Sequence, residues 1–168
     1  MIMDGDHGLT IDLDEGLRLT GRAAAQGFAP AQHNLGCFHR DGRGVPVDLE
    51  RAVFYWRLAA EQGHAYSQAQ LADAYARGAG VAVDYVASML WARRAAEKGH
   101  NEGMYIVGYL IANGDGVPRD RSAASAWFAR AAAKGHDGAK KALRELAGMG
   151  VAEAASALRR LGLDGPPA

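Results

Sequence analysis

Small apolar residues return along this chain at helical spacing and are interrupted at regular distances by glycine-rich segments. Ala52, Tyr55, Trp56, Ala59 and Ala60 lie at i, i+3, i+4, i+7 and i+8, which is one stripe of an amphipathic helix. The stripe returns as Ser88, Trp91, Ala92, Ala95 and Ala96, and again as Ala124, Trp127, Phe128, Ala131 and Ala132. Ahead of each copy runs another helical stretch, with Ala31, Leu35 and Phe38 or His39 in the first, Ser67, Leu71 and Tyr75 in the second, and Gly103, Val107 and Ile111 in the third. The pattern predicts pairs of helices, A then B, repeated in tandem.

The punctuation agrees with the stripes. Gly42 and Gly44 supply positive φ to end helix A and reverse the chain, and Val45 can pack back between the two helices. Asp48, Asp84 and Asp120 stand where helix B needs an N-cap, their carboxylates placed to accept orphan backbone N–H groups. Gly63, Gly99 and Gly135 are expected to close helix B in the left-handed conformation, helped by Gln62, Lys98 and Lys134 before them. Gly27, Gly63, Gly99 and Gly135 are 36 residues apart, and so are Asp12, Asp48, Asp84 and Asp120. A unit this short cannot bury its own apolar face, so this period predicts an all-α solenoid of stacked antiparallel helix pairs.

The chain divides accordingly. Residues 1–11 are expected to be a loosely ordered segment; 12–27 form a half repeat holding helix B alone; 28–63, 64–99 and 100–135 are full repeats; 136–148 are a final helix A; 151–161 are a capping helix; and 162–168 are a tail. The capping helix has one apolar stripe, Ala154, Leu158 and Leu161, with Glu153, Arg159 and Arg160 free to face water.

Composition narrows the function. Acidic and basic residues balance at 19 each, so no overall field favours nucleic acid or an anionic membrane. No apolar run reaches the roughly 20 residues a membrane span needs, and Met1 to Gly8 lack the basic stretch and apolar core of a secretory signal, which favours the cytoplasm over the periplasm. Cys37 is the only cysteine, so no intrachain disulfide and no multi-cysteine metal site can form.

Candidate chemistry is sparse. His64, His100 and His136 each follow an inter-repeat glycine, but stacked repeats hold equivalent atoms about 10 Å apart, too far for one metal ion. They read better as polar starts to helix A. His33 and Cys37 are i, i+4 and can touch, yet no orienting acid or oxyanion motif accompanies them, so a hydrolase-type reading ranks last. Gly42-x-Gly44 lacks the Lys-Ser/Thr that follows a phosphate-binding glycine loop, and no Ser-x-x-Lys is present. Trp56, Trp91 and Trp127 fit packing between helices better than nucleobase stacking. No cofactor and no metal is expected.

The string from Ala31 to Gly63, with Ala-x-x-x-Leu-Gly, an aromatic, Gly-x-Gly-Val, Asp-x-x-x-Ala, an aromatic pair and Ala-Ala-x-x-Gly, resembles the Sel1-like repeat, a relative of the tetratricopeptide repeat with a longer turn. The likeness covers three full units and two partial ones, with His39 and Ile111 standing where the family usually has Tyr, and Ala79 and Ala92 departing in the second unit. It implies a right-handed superhelix and the role of a scaffold or adaptor, often bacterial, that binds a protein or peptide. By the same similarity the A helices line the concave side. On their outward face lie His33, Cys37, Arg40 and Asp41, then Asp73 and Arg77, then Tyr105, Tyr109 and Asn113, then Lys141 and Glu145, with Tyr66 and Glu102 at the rim. A second reading is self-association, because the incomplete first unit leaves a face of its helix without the usual helix A.

Overall fold

The computed structural model describes residues 7–165, and side chains from residue 14 onward. Among these residues there are nine helices and no strand. They are α1 (His7–Ala25), α2 (Ala29–Asp41), α3 (Leu49–Glu61), α4 (Ala65–Arg77), α5 (Tyr85–Glu97), α6 (Asn101–Asn113), α7 (Arg121–Ala133), α8 (Asp137–Gly148) and α9 (Ala152–Leu161). Helices α2, α4, α6 and α8 are the A helices; α3, α5 and α7 are B helices, and α1 and α9 hold the B positions at the two ends. Each helix packs on the next, α4 also meets α6, and α9 closes the array by lying on both α7 and α8.

Caps determine where each helix stops. Gly42, Gly78 and Gly114 end the A helices at φ 68°, 71° and 83°, and Gly63, Gly99 and Gly135 follow the B helices at φ 87°, 80° and 83°. A side-chain oxygen of Asp48, Asp84 and Asp120 accepts the backbone N–H of Arg51, Ala87 and Ala123 at 2.9, 2.9 and 2.8 Å. Asp84→Ala should therefore cost about 1 kcal/mol, read as a lower urea midpoint with an unchanged slope. The fourth aspartate of the series differs in position: α1 begins at His7, so Asp12 lies within the helix instead of at its start. The segment expected to be loose is thus helical from His7, whereas residues 1–6 lie outside the described residues, as do residues 166–168 of the expected tail.

The core runs along the array as four clusters, the largest joining residues from α5 to α9. Leu71, Val107, Leu110 and Leu143 are fully buried, flanked by alanines such as Ala52, Ala92, Ala124 and Ala139 that let helices approach. Gly103 shows how tight the approach is, since a β-carbon there would sit 2.9 Å from the Ala92 carbonyl oxygen and 2.9 Å from the Ala96 nitrogen.

The tryptophans fall into two environments. Trp56 is 4% exposed and lies under Gly36, whereas Trp91 and Trp127 are half-buried and carry the guanidinium groups of Arg94 and Arg130 at 4.7 and 4.5 Å from their rings. The register explains the difference: one period beyond Trp56 stand Ala92 and Phe128, while Trp91 and Trp127 repeat the position of Tyr55.

Candidate partner-binding face

The A helices bring their outward residues onto one side of the array, and contacts between successive A helices show this directly. Arg40 of α2 donates to Gln70 Oε1 of α4 at 3.0 Å, and His136 Nε2 at the start of α8 meets Glu102 Oε2 of α6 at 2.9 Å.

Helix α6 forms the ridge of this face. Tyr105, Tyr109 and Asn113 succeed one another at i, i+4 and i+8, and the ridge separates two clefts that share both tyrosines. One, of about 370 Å³, is bounded by Asp73, Ala76 and Arg77 of α4. The other, of about 210 Å³, is bounded by Asn113, Arg121, Ala142, Glu145 and Met149. Tyr105 is held in place: its ring stacks on His136 at 4.4 Å and lies 5.7 Å from that of Phe128. Burial raises its hydroxyl pKa above the usual tyrosine value, with Glu102 adding to the shift, so the group remains a neutral donor and acceptor. Tyr109, 44% exposed and 6.4 Å from Tyr105, has the freer ring.

Charge is arranged in local pairs on both flanks. Arg77 Nε meets Asp73 Oδ1 at 2.7 Å, and Lys141 Nζ lies 3.9 Å from Glu145 Oε1. In each pair the cation is the more exposed partner, at 73% against 35% and 79% against 58%, so basic groups stand outermost. Arg40 joins Asp41 at 2.6 Å and holds the Asp41 carboxyl below the usual range, while its guanidinium lies 5.8 Å from the centre of the Trp56 ring.

Of the residues selected from the sequence, Asp73, Arg77, Tyr105, Tyr109, Asn113 and Glu145 line the two clefts. Lys141 stands beside them through Glu145. His33, Cys37, Arg40, Asp41, Tyr66 and Glu102 line neither cleft. Arg121 and Met149 were missed, because one opens a B helix and the other follows the last A helix. Their signal was proximity across repeats, which spacing within a single helix does not carry.

Around His33 the structure builds a polar chain that the i, i+4 spacing only half anticipated. Cys37 Sγ lies 3.6 Å from His33 Nε2, His33 Nδ1 lies 3.0 Å from Ser67 Oγ, and Ser67 Oγ lies 3.0 Å from His64 Nδ1. Ser67 thus supplies the orienting group that the sequence did not reveal. The acid–base chemistry still opposes a nucleophile: burial pushes the Cys37 thiol up, Arg40 only partly opposing it, and burial together with His64, Arg40 and His100 pushes His33 down to about 4. A reluctant acid beside a weak base leaves the thiol protonated. Among the described residues no group of three or more His, Cys, Asp or Glu could hold a metal ion, and no helix is long and apolar enough to cross a membrane.

The repeat geometry has a family counterpart. The Sel1 repeat model matches residues 1–28, 29–64, 65–100 and 101–136. This chain belongs to the Sel1 repeat family. Among solved structures it is similar to a protective antigen of uropathogenic Escherichia coli that displays an SLR fold, at 35% identity and TM-score 0.78, over 88% of this chain and 33% of that one. It is also similar to a Sel1 repeat protein from Oxalobacter formigenes, at 35% identity and TM-score 0.67, over 77% of this chain and 98% of that one. The Sel1 chain thus spans about a third of the length of the E. coli antigen. A comparison with curated proteins found no match. Sel1-repeat proteins generally act as scaffolds for protein interactions, and the fold is typically non-enzymatic.

Proposed function

We propose that this Sel1 protein captures a protein or peptide on the face built by α2, α4, α6 and α8, with Tyr105 and Tyr109 as its anchors. The supporting observation is that two clefts adjoin along one helix and share both rings. Amphipathic aromatic rings concentrate binding energy because they give a large contact area at a small cost in side-chain entropy. A face already assembled on helices loses little further freedom when a partner arrives.

Partners recovered from the source organism with the purified protein provide the test. Tyr109→Ala should weaken the recovered complex by at least tenfold in calorimetry and leave far-UV circular dichroism unchanged, since the ring lies at the surface. Reversing charge at Arg40, Arg77 and Lys141 should weaken an acidic ligand in the same assay. Affinity unchanged by all these substitutions would place binding on the B helices or the turns.

Self-association is favoured by a different feature. Phe54 is 57% exposed and borders a groove of about 320 Å³ together with Gly21, Ala24 and Ala25 of α1. Light scattering that gives the monomer mass at every concentration would eliminate this reading.

A further inference from the structure

Ser67 is fully buried, and its hydroxyl lies 3.0 Å from a ring nitrogen of each of two histidines from different repeats. The hydrogen-bond roles follow from counting protons. His64 Nδ1 accepts the Ser67 backbone N–H at 3.3 Å, so it carries a lone pair and caps α4. Ser67 Oγ–H shares that one lone pair in a three-centre bond, His33 Nδ1–H donates to Ser67 Oγ, and Cys37 Sγ–H donates to His33 Nε2. This assignment satisfies every member of the chain and needs both imidazoles neutral.

A proton on either ring breaks it. On His64 the proton occupies Nδ1 and removes both the cap of α4 and the acceptor for the Ser67 hydroxyl. On His33 it occupies Nε2 and confronts the Cys37 thiol proton. The ring centres are only 4.9 Å apart, so two charged rings would also repel.

The surroundings give a proton no compensation. Facing the pair are Cys37 and Arg40 from α2, Tyr66 from α4, Lys98 from the end of α5 and His100 from the start of α6. The nearby carboxylates are engaged elsewhere, Asp41 with Arg40 and Glu102 with His136. His136 caps α8 in the same way, Nδ1 accepting the Ala139 N–H at 3.0 Å, with the Glu102 carboxylate 2.9 Å from Nε2.

We propose that the α2–α4 junction is a proton-operated joint, closed while His33 and His64 are neutral and loosened when either is protonated, so that acid uncouples the first A helix from the remainder of the binding face. Its consequence for a partner rests on the function proposed above; the joint itself does not. The three histidines of the cluster agree in direction: burial lowers His33, to about 4, and also His64 and His100. The ordinary histidine value is about 6.5. Between about 6.5 and 4 the opened junction therefore takes up protons more readily than the closed one. Closure is fully favoured above that window and is lost as pH falls through it.

Hydrogen exchange of the full chain without any partner tests the joint and keeps its failure separate from that of the binding reading. After correction for the intrinsic pH dependence of exchange, protection of the Ser67 amide and the first turn of α4 should fall at least tenfold between pH 7 and 4.5. The first turn of α9, which opens at Val151 without any side-chain cap, should lose much less. His64→Asn keeps a capping side chain that does not titrate, and together with His33→Gln it should flatten the profile. A wild-type profile that stays level within twofold overturns the proposal, as does an acid response that persists undiminished in the double variant. Should the double variant not fold, carbon-13 titration of the wild-type histidines decides: His33 and His64 must titrate below the ordinary histidine value, in step with the loss of protection at Ser67.

Discussion

Gly80→Ala should destabilise the protein by ~2–5 kcal/mol, a large share of the 5–15 kcal/mol typical of a whole domain. Two costs combine. Gly80 holds φ at +72°, where an L side chain is strained by about 1–2 kcal/mol. A β-carbon there would also run into the carbonyl group of Leu49 and lie 2.8 Å from the Glu50 nitrogen, so the obstacle is the backbone at the start of α3. Backbone in a capped helix cannot swing aside. Gly116 sits at the equivalent place on the start of α5, where a β-carbon would lie 2.8 Å from Tyr85 Cβ and 3.3 Å from its carbonyl carbon, which identifies this glycine as the seat of one repeat on the preceding one. Gly135→Ala is the control, because its φ is +83° but a β-carbon would meet nothing within 4 Å. It should show the strain alone. Denaturant midpoints for the two variants separate the terms, and equal midpoints would show that the seat carries no load.

Trp56→Ala should cost about 3–5 kcal/mol, because a large buried ring leaves a cavity that neighbouring alanines are too short to fill. The indole lies under Gly36, where a β-carbon would come within 3.0 Å of Cε2 and closer still to Cδ1 and Nε1. Gly36→Ala alone should therefore cost about 1–3 kcal/mol by overpacking. The two changes should not add: with the indole gone, the methyl group enters vacant space and its own penalty vanishes. A double-mutant cycle by urea denaturation measures this coupling, and strict additivity would show that ring and glycine do not press on each other. Helix α6 repeats the device at Gly108, where a β-carbon would lie 2.8 Å from the ring of Phe128, one period after Trp56's own equivalent Ala92.

These glycines show what was legible at each level. Gly42 and Gly63 could be read from sequence because ending a helix is local: the chemistry needed, a positive φ, is that of the residue itself. Gly36 and Gly103 look no different in the sequence, yet their need for hydrogen comes from a ring or a carbonyl group in another helix, and Gly80 adds such a contact to its positive φ. The same division runs through the candidate site. Tyr105, Tyr109 and Asn113 were found by spacing along one helix, and Asp73 and Arg77 by the period that carries one repeat onto the next. His33 was placed among the outward residues by that same rule. The structure instead turns it toward Ser67 and His64, since Ser67 replaces the alanine or glycine at the equivalent positions Ala31, Gly103 and Ala139. One buried hydroxyl was enough to redirect the side chain.

Sequence alone determined the helices, their caps, the period and the stacking of pairs into a solenoid, because each follows from interactions within a few residues and is stated three times over. Tertiary structure decided which neighbours meet across the repeats: the cleft walls on either side of α6, the seat under Gly80 and the imidazole–hydroxyl chain at the first junction. Those contacts join residues about one period apart, and their geometry depends on how closely two helix axes approach, a distance set by all the side chains between them.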